Sequence, residues 1–171
     1  MTKIQFAGAA SATLMAATLC ACTPPPKAKA DVDTGKIADL VKADEAQGTA
    51  DFNAHDVAKS VSHDAPDIVG MFHGQTNIVG PAADTESTKK MFAAMPDAHY
   101  ATSNESVDVA KAGDMAIYRA TYVFTFTDPK TKKPVSENGN VVAGYKPQAD
   151  GSWKVAWSIG ADTPPAPAAK P

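Results

Sequence analysis

The sequence predicts an α+β domain: a cone-shaped, curved antiparallel sheet packed against three N-terminal helices. Two observations predict it. Helical periodicity and helix-capping residues are confined to residues 33–95. From Ala98 onward the apolar period falls to two, with turns at Ala112-Gly113-Asp114, 128–134 and Asp150-Gly151. Helices first and strands last suit a curved sheet that leaves a conical pocket under the helices.

Asp33 or Thr34 opens the first helix as an N-cap. Ile37, Leu40, Val41 and Asp44 fall on one face, with Gly48 a turn later, so an acid interrupts an otherwise apolar stripe. The helix runs to Asn53 and turns at Ala54-His55-Asp56, where Asp56 can cap a second helix over 57–63. Asp64-Ala65-Pro66-Asp67-Ile68-Val69 leads into a first strand. Met71 and Phe72 pair with Ile78 and Val79 across a Gly74-Gln75 turn. Pro81 breaks the pattern, and Asp84 or Thr85 is expected to cap a third helix with Thr88, Met91, Phe92 and Met95 on one face. Pro96 ends it.

A strand over 103–110 precedes the longest strand, 115–127. In the latter, Tyr118, Ala120, Tyr122, Phe124 and Phe126 share one face, and Ile117, Arg119, Thr121, Val123 and Thr125 the other. Its partner spans 135–146, where Asn138-Gly139 suggests a bulge or a late start. In the last strand Trp153, Val155, Trp157 and Ile159 alternate inward.

The segments outside the domain carry their own signals. Residues 1–21 are expected to be a lipoprotein signal peptide: Lys3, an apolar Ala-rich run, then Leu19-Cys20-Ala21-Cys22. A small residue precedes Cys22 whereas bulky Leu19 precedes Cys20, so Cys22 is the expected lipidation site. The alternative is an ordinary secretory signal with an incidental cysteine. Processing at Cys22 leaves no thiol free for a disulfide. Residues 22–33, with Pro24-Pro25-Pro26, read as a flexible tether, and 164–171 as a disordered Pro/Ala tail. The domain proper is 34–163, lipid-anchored at the bacterial cell envelope on the periplasmic side or outer membrane.

Across the 171 residues the net charge is −3, which argues against nucleic acid as a partner. Fifteen lysines but one arginine, Arg119, argue against an anion-clamping cluster.

The string Phe52-Asn53-Ala54-His55-Asp56, the Asp64-Ala65 pair, and Trp153-Lys154-Val155 after Asp150-Gly151 resemble the cone-shaped domains of ketosteroid isomerase, nuclear transport factor two and the SnoaL-like cyclases. The likeness covers about residues 36–163. It implies the cone fold and a pocket, and it implies a homodimer through the outer sheet face, where Thr121, Thr125 and Thr127 lie. Ketosteroid isomerases use an Asp base with an oxyanion hole of Tyr and protonated Asp. The Tyr position falls at Gly48, the base near Val69 and the hole's Asp near Val141, so the catalytic groups are missing. Asp67 is the nearest substitute for the base.

The remaining candidates are few. His55-Asp56 and His63-Asp64 form two His-Asp pairs, too few ligands for a metal site; Asp56 and Asp64 read as caps, and His55 and His63 as surface residues. His73 and His99 have no partner identifiable in sequence. With no nucleophile elbow, phosphate loop or dinucleotide fingerprint, no cofactor and no metal are expected. Tyr118, Tyr122, Tyr145 and Trp157, facing the helices, either fill the core or form an aromatic cage closed by Asp44, suited to a small amphipathic ligand. Arg119 lies on the opposite face unless a bulge turns it toward Asp44. The leading function is a non-catalytic module that binds a small organic ligand or a partner. Its rivals are an isomerase, cyclase or hydratase with Asp44 as general base, and a structural lipoprotein with a filled core.

Overall fold

The computed structural model describes residues 32–163; the signal-peptide and tail segments, and Cys22, lie outside them. Helix α1 (Thr34–Asn53) starts where the Asp33 carboxylate accepts from the Lys36 amide at 3.0 Å. Val41 is fully buried, but Leu40 is 46% exposed. The inward stripe is Val41-Glu45-Gly48-Phe52, spaced four, three and four, and Leu40 sits about 100° off its axis.

His55 ends α1 in the left-handed region, φ 54°. Its imidazole meets the Ala98 carbonyl at 2.9 Å and stacks on Phe92, so it is a corner brace and not a surface residue. Asn53 fixes the same corner: its side-chain amide donates to the Tyr100 carbonyl and accepts from the Tyr100 amide, both at 2.8 Å. Asp56 caps α2 (Val57–Ser62) by accepting from the Lys59 amide. Helix α3 (Pro81–Ala94) begins earlier than expected. Gly80, φ 81°, is its N-cap, and Pro81 opens it because a first-turn proline has no amide to leave unpaired. Asp84 therefore lies inside the first turn.

The six strands are β1 (Asp64–Phe72), β2 (Ile78–Val79), β3 (His99–Val109), β4 (Ala116–Thr127), β5 (Pro134–Pro147) and β6 (Trp153–Asp162), ordered β2-β1-β6-β5-β4-β3. All neighbours are antiparallel except β1 and β6, which run parallel. The β4–β5 ladder is unbroken from Ala116↔Tyr145 to Thr127↔Pro134, so Asn138-Gly139 is mid-strand and neither bulges nor starts it. Gly139 is there because the Tyr122 ring lies across it; a Cβ would stand 2.3 Å from that ring.

The bulge that matters lies elsewhere. Tyr145 pairs with Val155 but Gly144 with Trp157, leaving Ala156 as an extra residue. One extra residue sends every later side chain to the other face. Val155, before the bulge, faces the helices as expected; beyond it Ser158 and Gly160 face them, and Trp157 turns out over Gly144, where a Cβ would meet its indole at 2.1 Å. Ile159 is 43% exposed. The closed end of the cone is filled by Val41, Ala116, Tyr118, Ala120, Tyr145 and Trp153.

Candidate functional site

Between the helices and the inner sheet face lies a cavity of about 540 Å³. Aromatic side chains form one wall. Phe52 meets Tyr100 and Phe124 edge-on, and Tyr100 stacks on Tyr122 with ring centres 5.4 Å apart. Phe72 lies at the cavity over Gly70 and Gly160, whose missing side chains make room for its ring.

The opposite wall carries a charge relay across α1 and the end of α2. His63 Nδ1 is 2.8 Å from Asp44 Oδ1, and Nε2 is 3.1 Å from Asp51 Oδ2. Gln47 donates to Asp51 at 2.9 Å, and the Tyr145 hydroxyl donates to Asp44 Oδ2 at 3.1 Å. An imidazole with a carboxylate at each nitrogen satisfies both only as the cation. The hydrogen bond to Asp44 accordingly pushes His63 up to about 9 against the opposing effect of burial, with Asp51 adding to it. The bond from His63 in turn holds Asp51 low. Gly48 lies against the ring; a Cβ there would stand 3.5 Å from it, in ordinary contact. Burial, then the Glu45 and Asp44 charges, hold the Tyr145 phenol far above its usual range, so it stays a donor.

Two further acids are perturbed. Glu45 lines the cavity and is pushed up to about 7, chiefly by burial, with the Asp44 and Glu105 charges adding and the Tyr145 hydroxyl opposing. Asp64, at the start of β1, is pushed up to about 8 by burial and then by Asp84, close enough to share a proton with it. The buried Asp64 Oδ2 atom has no hydrogen-bond partner among the described residues. The Thr88 hydroxyl reaches Asp84 at 3.4 Å. At the rim the Tyr122 hydroxyl donates to Asp162 at 2.6 Å.

Of the residues expected at the site, Asp44, Tyr122 and Tyr145 line the cavity together. Tyr118 does not: it is wholly buried in the core, and its hydroxyl makes no well-formed hydrogen bond although Thr102 and Glu105 approach it. Trp157 is removed to the outer face by the Ala156 bulge. Arg119 stays outside, paired with Asp108, and never meets Asp44. Asp67 is also outside, bonded to Lys146 at 3.1 Å. The carboxyl that β1 brings to the cavity is Asp64, which is not a helix cap, and His63 is not a surface residue. Sequence reasoning missed Glu45, Asp51, His63, Asp64, Asp84 and Asp162. The four-three-four spacing around Glu45 was a usable signal for the first; His63, Asp64 and Asp84 were visible in the sequence but read as surface and capping residues, and nothing local marked Asp51 or Asp162. Among the described residues, no three His, Cys, Asp or Glu side chains converge as a metal site.

No protein-family model matches this chain, and no curated protein matches its sequence. Solved structures do match its fold. A ketosteroid isomerase-like protein from Erwinia carotovora atroseptica is 21% identical over 75% of this chain and 97% of its own, with a TM-score of 0.64. A nuclear transport factor 2-like superfamily protein from Salmonella enterica is 9% identical over 81% and 99%, TM-score 0.68. A proposed scytalone dehydratase from Novosphingobium aromaticivorans is 11% identical over 77% and 87%, TM-score 0.68. The chain has the cone-shaped α+β fold of these proteins.

Proposed function

We propose, from the cone fold shared with these structures, that the domain binds a small amphipathic organic molecule in its cavity. One observation carries this reading: the hydrophobic core is complete at the closed end, yet about 540 Å³ remains beside it, bounded by aromatic faces and convergent polar groups. That volume is within the ~300–1,000 Å³ typical of small-molecule pockets. In the same proposal a lipid on Cys22 holds the domain at the bacterial envelope. Among the described residues no helix is long and apolar enough to cross a membrane. Native mass spectrometry of purified protein tests the binding. A small-molecule adduct is expected on the wild type and not on folded Thr49→Trp, which fills the cavity. No adduct on either protein, or the same adduct on both, overturns the reading.

A second reading is an acid–base enzyme of the isomerase or dehydratase type, as the names of the fold neighbours suggest. The perturbed acids favour it. Asp44 already accepts from His63 and Tyr145, so in this reading proton transfer falls to Glu45, whose carboxyl titrates at about 7.

A further inference from the structure

The lining of the cavity is lopsided in charge. Six carboxyls face it: Asp44, Glu45, Asp64, Asp84, Glu137 and Asp162. Among the described residues, no lysine or arginine does. Of the two lining imidazoles, His63 is committed to Asp44 and Asp51, and His73, with a side chain 82% exposed, stands 3.9 Å from Asp162. The nearest lysines do not redress the balance. Lys154 reaches toward Asp64 but donates to the Ser62 carbonyl, and exposed Lys59 is paired with Asp56. An anionic ligand would face these carboxyls with no lysine or arginine in the lining to pair with it.

The aromatic wall points the same way. Phe52, Phe72, Tyr100, Tyr122 and Phe124 line the space, and their ring faces attract cations while covering apolar surface. A bare metal ion would use neither the volume nor these rings. Asp64 and Asp84, two of the six, add a third observation: the two carboxyls lie together with one oxygen unpartnered, an arrangement that a proton or a bound cation relieves.

We propose that the cavity takes an amphipathic organic cation, an amine whose ammonium sits by Asp64 and Asp84 and whose apolar body lies on the aromatic wall. This rests on the cavity being the ligand site. Binding is then linked to protons. The groups facing Glu45 are Asp44, Glu105, His63 and Tyr145, and those facing Asp64 are Asp84, His63 and Lys154. Both acids hold protons at slightly acid pH and release them toward pH 8, so amine affinity rises over that range.

The test is calorimetric titration with three probes of similar size: 2-naphthylethylamine, 2-naphthylethanol and 2-naphthylacetate. At pH 8 the amine is expected to bind about tenfold more tightly than the alcohol, the equivalent of ~1.4 kcal/mol, and the acid more weakly than either. The amine's advantage should shrink at pH 6, and Glu45→Gln and Asp84→Asn should each narrow it. Should either variant fail to fold, the wild-type pH series still decides. Equal binding of amine and alcohol at pH 8 overturns the cation inference and leaves the pocket reading standing. Failure of all three to bind overturns both.

Discussion

Replacing His63 with Gln removes the one charge that Asp44 and Asp51 both face. The unfolded imidazole titrates near 6.5 and the folded one at about 9, so the folded state holds the proton more tightly. The stabilisation is therefore complete below pH 6.5 and is lost as pH rises through 9. The gap corresponds to roughly 3 kcal/mol. The side chain is 15% exposed, but solvent in the cavity screens it, which trims the figure to about 2 kcal/mol. Glutamine can donate to only one of the two carboxylates, and the other keeps only its bond from Gln47 or from the Tyr145 hydroxyl. Urea denaturation of wild type and His63→Gln at pH 6 should thus differ by about 2–3 kcal/mol. At pH 10, where wild-type His63 is neutral, the difference should fall below about 1 kcal/mol. Glu45 and Asp64 also destabilise the fold as pH rises, since burial raises both, and loss of the His63 charge raises each further. A difference under about 0.5 kcal/mol at pH 6, or one that does not shrink by pH 10, would show that His63 is uncharged in the fold.

Three other outcomes are expected. Gly139→Ala should cost about 1–3 kcal/mol in thermal denaturation, because its methyl displaces the Tyr122 ring; no loss would mean the ring does not lie there. Trp153→Ala should cost about 3–5 kcal/mol, as for a core aromatic, and half-buried Trp157→Ala only about 1–2 kcal/mol. Equal losses in denaturant would return Trp157 to the inner face. In a bacterial host, Cys22→Ser should abolish acylation and leave precursor, whereas Cys20→Ser should not; metabolic labelling with fatty acid reads the difference.

Much of the fold was legible because its determinants are local. A side chain at a helix start caps the next turn, so Asp33 and Asp56 could be placed from sequence. Alternation on β4 was enough to put Tyr118 and Tyr122 on the inner face, and Asp44 could be picked out as an acid on an apolar stripe. The parity of β6 was not legible, because the bulge at Ala156 exists only in its pairing with β5. Nor was Gly139, read as a bulge signal, recognisable as the space under a tyrosine on the next strand.

The sequence by itself determined which segments are helix and strand, which faces of most of them turn inward, and that arginine clamps are absent. Tertiary structure decided the site. His63 joins acids 19 and 12 residues away, and Asp64 meets Asp84 only because α1, α2, α3 and β1 converge on one cavity. Periodicity and capping act over a few residues of chain and can be read in one dimension. Desolvation and charge coupling act over a few ångströms of space, and they depend on neighbours that the order of residues does not reveal.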